Sequence, residues 1–136
     1  MEKMVLQTRQ FGALDYEESN VILFPEGLIG FEELRRFLLI LEQETAPFRW
    51  LISIDEPAIG FAVIDPRIIK PEYISEIPVP IEHQDLYTIV TLHKELHNST
   101  MNLKGPILIQ QEVREGKQVI LNSDRFQVAY PLFTNH

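Results

Sequence analysis

The sequence of 136 residues contains no cysteine, which excludes disulfides, thiolate metal ligands, iron–sulfur clusters and thiol nucleophiles. It also contains no long apolar run. The longest unbroken apolar stretch is Phe37 to Leu41, whereas a membrane-spanning helix needs about 18 or more such residues. The opening residues MEKMVLQTRQFG include no apolar segment of signal-peptide length. We therefore expect a cytoplasmic protein that does not bind membranes.

Positive charge is also scarce, because 12 Lys and Arg residues stand against 20 Asp and Glu residues, a formal net charge of −8. Residues 1–85 hold 16 acids and seven bases, a net charge of −9, whereas the remaining residues hold four acids and five bases. Nucleic-acid binding depends largely on Lys and Arg that neutralise phosphates. We therefore expect no direct binding of nucleic acid, and an attraction for basic partners.

What the sequence does contain is a series of short apolar clusters separated by turn-forming residues. The length of these clusters is typical of strands rather than helices. Only residues 31–37 show a helix-like start, with Glu32 and Glu33 first and Arg35 and Arg36 last. The pattern predicts a mainly β protein, a compact antiparallel β-barrel-like single domain over residues 1–136 with at most one or two short helical turns. The clusters are residues 21–24, 37–41, 48–54, 60–64, 87–92, 106–109 and 119–121.

Three local patterns add detail to this prediction. Phe11 and Gly12 lie between two polar-apolar alternating stretches, which indicates a hairpin corner with Gly12 at positive φ. In FRWLISI, residues 48–54, the alternation places Trp50 on a core face. Gly27 and Gly30 permit tight turning in a structural elbow that Phe24, Leu28, Phe31 and Leu34 anchor.

Candidate catalytic and metal-binding patterns are weak. His93 and His97 are four residues apart, but the Glu between them is not at the position that a zinc protease requires, and we read the segment as a polar connection. Asp55 and Glu56 are read as solvated acids of a turn, with no second half of a catalytic pair nearby. We predict no catalytic residue, no metal site and no cofactor.

Six sequence blocks follow one another along nearly the whole chain, namely FPEGLIGFEELRRFLLI, PFRWLISID, FAVIDP, STMNLKGPILI, GKQVIL and YPL. In this order they resemble the FliW family of flagellar assembly factors. The resemblance implies a β-barrel-like protein that is not an enzyme. It further implies a partner switch, in which the protein binds flagellin and also binds and antagonises the translational repressor CsrA. We expect the free protein to be a monomer.

The competing hypotheses are a small β-barrel enzyme, either a hydrolase or a sugar-modifying enzyme, and a ligand-binding module whose site the sequence does not reveal. For the partner switch, residues 55–85 are the most acidic stretch, with seven acids and two bases, and we expect them to face CsrA. The positions at which we expect partner contacts are Glu26, Leu28, Phe31, Asp65, Glu72, Glu76, Glu82, Asn102 and Lys117.

Overall fold

The structure, a computed structural model, describes residues 2–78 and 80–133. Seven of its strands, β3 to β7 with β9 and β10, form a closed barrel, because β7 pairs with β9 as well as with β6. The strands are β1 Met4–Thr8, β2 Gly12–Tyr16, β3 Ile22–Leu23, β4 Arg36–Leu41, β5 Arg49–Ser53, β6 Gly60–Ile64, β7 Gln84–Thr91, β8 Thr100–Met101, β9 Ile107–Gln110, β10 Glu115–Gln118 and β11 Tyr130–Pro131.

The pairings are antiparallel with one exception, the parallel contact of β3 with β10 at Leu23 and Glu115. The predicted fold class, mainly β and barrel-like, is therefore confirmed. Outside the ring, β1 and β2 form a separate hairpin, and β8 with β11 extends from the edge of β7 that also pairs with β9.

The predicted hairpin corner at Phe11 and Gly12 is correct. Thr8 pairs with Gly12, and Gly12 has φ +65°. The Thr8 hydroxyl donates to the Gly12 carbonyl at 2.8 Å and accepts from the Phe11 N–H at 2.9 Å. A single side chain thus satisfies two backbone groups at the tip of the hairpin.

Helical structure in the described residues is limited to single turns. They are 3-10 turns at Glu18–Asn20, Gln43–Thr45, Pro66–Ile68 and Leu96–Asn98, and one α-helix, α1, at Tyr73–Glu76. The helix-like start predicted for residues 31–37 is wrong. The Phe24 N–H donates to the Arg35 carbonyl at 2.7 Å, so the chain must run back alongside β3 in extended form there, and this long-range requirement outweighs the favourable charge order.

The strand predicted at residues 119–121 is also wrong, and β10 instead includes Glu115, Gly116 and Lys117, which the sequence had indicated as a turn. The reason is packing. A Cβ atom on Gly116 would lie 2.5 Å from Cζ of Phe24, so the glycine leaves the space that the fully buried Phe24 ring occupies. The turn lies earlier, and it brings Arg114 to φ +53°.

Three apolar clusters stabilise the barrel, one inside it and two outside. The hairpin of β1 and β2 covers the outer face of β4 and β5, whereas α1 and the C-terminal segment cover the outer face of β6, β7 and β9. Residues paired across strands share a face, which identifies the interior set. It includes Ile22, Phe24, Leu28, Phe37, Leu51, Val63, Tyr87, Ile107 and Ile109.

Trp50 lies on the outer face of β5 and contacts both outer clusters. It is partly buried. Its indole Nε1 donates to Thr45 Oγ1 at 3.0 Å, and its ring meets that of Phe11 edge-on at 5.9 Å. The predicted alternation of β5 is present, but Leu51 on the opposite face is buried as well, so β5 is covered on both sides. No helix in the two described ranges is both long enough and apolar enough to cross a membrane.

The contact of Gly116 with Phe24 leads to a prediction. Gly116→Ala should lower the free energy of unfolding by about 1 to 3 kcal/mol, because the added methyl overpacks the buried ring. The double variant Gly116→Ala/Phe24→Leu should lower the free energy of unfolding by less than the sum of the two single variants, because the smaller leucine side chain makes room for the methyl. Urea unfolding of the four proteins provides the measurement, and strictly additive losses would contradict the packing account.

Candidate partner-binding site

The predicted elbow, residues 24–37, consists of a loop over residues 24–35 that connects β3 to β4 and the first two residues of β4. Gly27 has φ +67° and Gly30 has φ +86°, which agrees with the tight turning expected of them. The Phe31 N–H donates to the Leu28 carbonyl at 2.7 Å, which closes a tight turn with Ile29 and Gly30 at its tip. Positive φ at the third residue of such a turn is the geometry that favours glycine.

The apolar residues of the elbow hold it against the barrel. Phe24, Leu28 and Leu34 are buried in the interior cluster, and Phe31 is half-buried with its ring edge-on to Phe61 at 5.1 Å. The side chain of Leu28 is only 1% exposed, so the partner contact expected at Leu28 is not available in this structure. Leu28 acts instead as one of the anchors that the sequence indicated.

Polar groups tie the tip of the elbow to the rest of the chain. Gln118 Oε1 accepts the Ile29 N–H at 2.9 Å, and Gln118 Nε2 donates to the Gly105 carbonyl at 2.9 Å. Asn102 Oδ1 in turn accepts the N–H groups of Lys104 and Gly105 at 3.0 and 3.2 Å. The elbow is therefore connected to the 102–105 turn through one glutamine side chain.

Beside the elbow lies a cleft of about 400 Å³, which we call the elbow cleft. It brings together two of the predicted partner-binding residues, Glu26 and Lys117. Gln84 also lines this cleft, and the exposed Glu82 lies two residues before Gln84 in the sequence. Asn102 joins this region through the Gln118 connection. Its lining residues are Pro25, Glu26, Gln84, Leu108, Gln110, Glu115, Gly116 and Lys117.

A second cleft, of about 470 Å³, lies where β4 ends and β5 begins, and we call it the β4–β5 cleft. It contains the predicted Asp65, whose carboxylate is paired with the Arg67 guanidinium at 2.7 Å. The hydrogen bond from this carboxylate raises the pKa of Arg67. Asp65 is therefore separated from the elbow cleft, and its charge is balanced locally.

Tyr87 and Arg49 also line the β4–β5 cleft. Arg49 Nη1 donates to the Tyr87 hydroxyl at 2.7 Å. Burial raises the pKa of Tyr87, and the positive charge of Arg49 opposes this shift only in part. The phenol therefore stays protonated at neutral pH, and the pair provides hydrogen-bonding groups rather than an acid and a base.

The three glutamates predicted in the segment around α1 differ in their surroundings. Glu72 and Glu82 are exposed, whereas Glu76 is half-buried, with one carboxylate oxygen 3.3 Å from Lys70 Nζ and the other 2.9 Å from Arg125 Nη2. Glu76 thus joins α1 to the C-terminal segment. These two bases largely neutralise its negative charge, so Glu76 contributes less than Glu72 and Glu82 to the electrostatic field outside the protein.

The weak catalytic patterns of the sequence are not assembled into a site. His93 and His97 are both exposed, and His97 belongs to a 3-10 turn in which it lies 3.5 Å from Glu95. Within the described part of the chain, no three His, Asp or Glu side chains are grouped closely enough to hold a metal ion. The two clefts described above have a lining of mixed apolar, acidic and basic residues, which suits contact with another protein.

Sequence reasoning missed Ile29 and Gln118. Ile29 is 53% exposed at the tip of the elbow, although its neighbours in the sequence are mostly anchors. Nothing in the local pattern of GKQVIL shows that Gln118 reaches a residue 89 positions away. The only available signal was the glycine pair, which indicated a tight turn and hence an exposed residue between the two glycines.

Asp55, read from the sequence as a solvated acid, has a structural role at the far end of the elbow. Its Oδ2 accepts the N–H groups of Arg35 and Arg36 at 2.9 and 3.0 Å, and Oδ1 lies 3.3 Å from Arg36 Nε. Partial burial alone would raise the pKa of Asp55, but these hydrogen bonds and the Arg36 charge outweigh it and lower the pKa. The carboxylate thus holds the point where the elbow enters β4.

Comparisons with known proteins agree over nearly the whole chain. The profile of a family described as FliW protein matches residues 5–132. The flagellar assembly factor FliW of Caldanaerobacter subterraneus subsp. tengcongensis is 42% identical, over 95% of this chain and 93% of that protein. The corresponding protein of Thermoanaerobacter pseudethanolicus is 40% identical over the same shares. A crystal structure of the flagellar assembly factor FliW superposes with a TM-score of 0.86 at 30% identity, covering 97% of this chain and 99% of the other.

The two elbow glycines should respond differently to substitution. A Cβ on Gly27 would lie 2.6 Å from the Glu32 carbonyl oxygen, whereas a Cβ on Gly30 would meet nothing within 4 Å. Gly30→Ala should therefore lower the free energy of unfolding by about 1 to 2 kcal/mol, through left-handed backbone strain alone. Gly27→Ala should lower it further, because the added methyl also clashes with the backbone. Chemical unfolding of both variants measures the difference, and equal losses would contradict it.

The lowered pKa of Asp55 predicts a pH dependence. A carboxylate whose folded-state pKa is lowered stabilises the fold above its unfolded pKa, about 3.9, and this contribution disappears as the pH falls through the folded value. The stability advantage of the parent over Asp55→Asn should therefore be constant above about pH 5 and shrink below pH 4. Unfolding free energies from pH 2 to 7 provide the measurement, and a constant difference across this range would rule out the role of the charge.

Proposed function

Because this chain belongs to the FliW family of flagellar assembly factors, we propose that it acts by binding two proteins, flagellin and the translational repressor CsrA, rather than by catalysis. The observation that supports this function best is the match of family and fold across nearly the full length of the chain. In this proposal, flagellin occupies the protein as it accumulates and leaves CsrA free to repress. After flagellin is exported, the free protein binds CsrA and relieves the repression.

The charge distribution supports the CsrA arm. An RNA-binding protein presents basic surface to phosphates, and this chain is strongly acidic, so the two attract each other. The proposed contact surface includes the exposed Glu72 and Glu82 together with Glu26 and Glu115 of the elbow cleft. Carboxylates next to a basic surface also repel approaching RNA phosphates. Antagonism therefore does not require that the protein cover the RNA site itself.

The β4–β5 cleft suits the flagellin arm better. Leu41 and Ile68, both more than half exposed, provide apolar surface at its rim. The acid in this cleft that the sequence predicted, Asp65, is already paired with Arg67. Because its rim is apolar and two of its lining charges are paired with each other, flagellin binding through this cleft should depend less on ionic strength than CsrA binding does.

Gel filtration of the purified protein with each partner tests the proposed function directly. Co-elution with flagellin and separately with CsrA supports it. Addition of flagellin to the CsrA complex should release CsrA, because the switch requires that the two partners oppose each other. Failure to co-elute with either protein would overturn the proposal and leave the enzyme and ligand-binding alternatives.

Charge reversal tests the CsrA arm more sharply. Glu72→Lys/Glu82→Lys should slow association with CsrA by about tenfold at low salt, because the acidic surface steers the encounter. It should also reduce the dependence of that rate on ionic strength, since exposed charges are screened over about 8 Å at physiological salt. Glu76 is left unchanged because its ion pairs with Lys70 and Arg125 support the fold.

Asp15→Lys/Glu18→Lys is the matched control. It changes the net charge by the same amount at two exposed carboxylates outside the acidic segment. Association rates of the parent and both variants with CsrA and flagellin, measured at several salt concentrations, provide the comparison. Equal slowing by the two variants would show that net charge alone matters. No slowing by Glu72→Lys/Glu82→Lys would contradict the role of this surface.

A further inference from the structure

The tip of the elbow presents an apolar side chain in a rigid setting. Ile29 is 53% exposed, although the residues on each side of the turn, Leu28 and Phe31, pack inward. A single exposed isoleucine is ordinary on a protein surface. What distinguishes Ile29 is that hydrogen bonds fix the backbone of the whole turn that carries it.

Four hydrogen bonds hold this backbone. Leu28 and Phe31 exchange N–H to carbonyl bonds of 3.4 and 2.7 Å across the turn. Gln118 accepts the Ile29 N–H at 2.9 Å, and Glu32 Oε2 accepts the Gly30 N–H at 2.8 Å. Both N–H groups at the tip are therefore bonded to side chains. A residue on a backbone held in this way loses little backbone conformational entropy when a partner covers it, which is the main advantage of a preorganised anchor.

The charges around Ile29 indicate the kind of partner. Residues 24–34 contain three acids, Glu26, Glu32 and Glu33, and the two bases that follow, Arg35 and Arg36, lie at the far end of the elbow beside Asp55. All three are exposed, and Glu26 lines the elbow cleft together with Glu115 and Lys117. The complementary surface is thus an apolar pocket surrounded by Lys or Arg side chains.

We propose that Ile29 is an apolar anchor that inserts into a pocket on the basic surface of CsrA, and that Gln118 is a positioning residue that holds the anchor in place. This inference rests on the proposed function, which supplies CsrA as the basic partner. It assigns to Ile29 and Gln118 the roles of contact and support. In this inference the surrounding carboxylates raise the association rate, and Ile29 lowers the dissociation rate.

The first test compares Ile29→Ala with Val5→Ala, which truncates another exposed β-branched residue, on the β1–β2 hairpin. Binding of each purified variant to CsrA is measured by surface plasmon resonance. Ile29→Ala should weaken binding by about tenfold or more, mainly through faster dissociation. Val5→Ala should stay within about twofold of the parent. Because Ile29 is exposed, both variants should unfold at the parent's temperature.

The second test is a double-mutant cycle. Gln118→Met removes both hydrogen bonds of the side chain at similar volume and should also weaken binding to CsrA. If Gln118 acts through Ile29, this loss should largely disappear on the Ile29→Ala background. A loss that is as large on both backgrounds would show that Gln118 does not act through Ile29 and would overturn its positioning role.

The remaining outcomes separate this inference from the proposed function. If the parent binds CsrA and Ile29→Ala matches Val5→Ala, the anchor role is wrong while the proposed function stands. If Ile29→Ala weakens flagellin binding and leaves CsrA binding unchanged, the choice of partner is wrong. If the parent binds no CsrA, the proposed function fails in its CsrA arm and the inference fails with it.

Discussion

The rest of the structure depends on the closure of the barrel between β3 and β10. Strand β3 has two residues, and its contact with β10 is one parallel pair, Leu23 with Glu115. So few backbone hydrogen bonds would form a weak join without the Phe24 ring, which is fully buried against the space left by Gly116. The elbow begins at this ring. Its direction, its connection to Gln118 and the shape of the elbow cleft all follow from where Phe24 packs.

The sequence predicted most strands well, because apolar clusters bounded by turn formers are a local signal. Strand β6 was predicted at its observed bounds, and the hairpin at Gly12 was correct. The errors lie where a distant contact decides. Gly116 reads as a turn residue because glycine usually is one, and only the approach of Phe24, 92 positions earlier by residue number, reveals a strand. The segment after Phe31 likewise has the charge order of a helix, but its Arg35 carbonyl accepts the Phe24 N–H at the end of β3, which requires an extended backbone there.

The positions at which partner contacts were expected stay a prediction, but the structure shows where they lie. Glu26 and Lys117 line one cleft, and Glu72 and Glu82 are exposed. Exposure is harder to predict than charge, however. Leu28 was expected both to anchor the elbow and to contact a partner, and its burial leaves only the anchor role. Glu76 was expected to contact a partner and is paired with two bases. The hydrogen bonds that give Gln118 and Asp55 their roles have no local signal, because their partners are distant in sequence.

The bond between Ile29 and Gln118 joins residues 89 positions apart. Contacts of such separation form late, since the entropy of closing a long loop must be overcome before they add stability. During synthesis, the elbow leaves the ribosome long before β9 and β10 exist to receive it. A growing chain therefore carries its acidic N-terminal half without the assembled face. In the proposed mode of binding, the surface that contacts CsrA would exist only once the barrel is complete, so an unfinished chain would not compete for this partner.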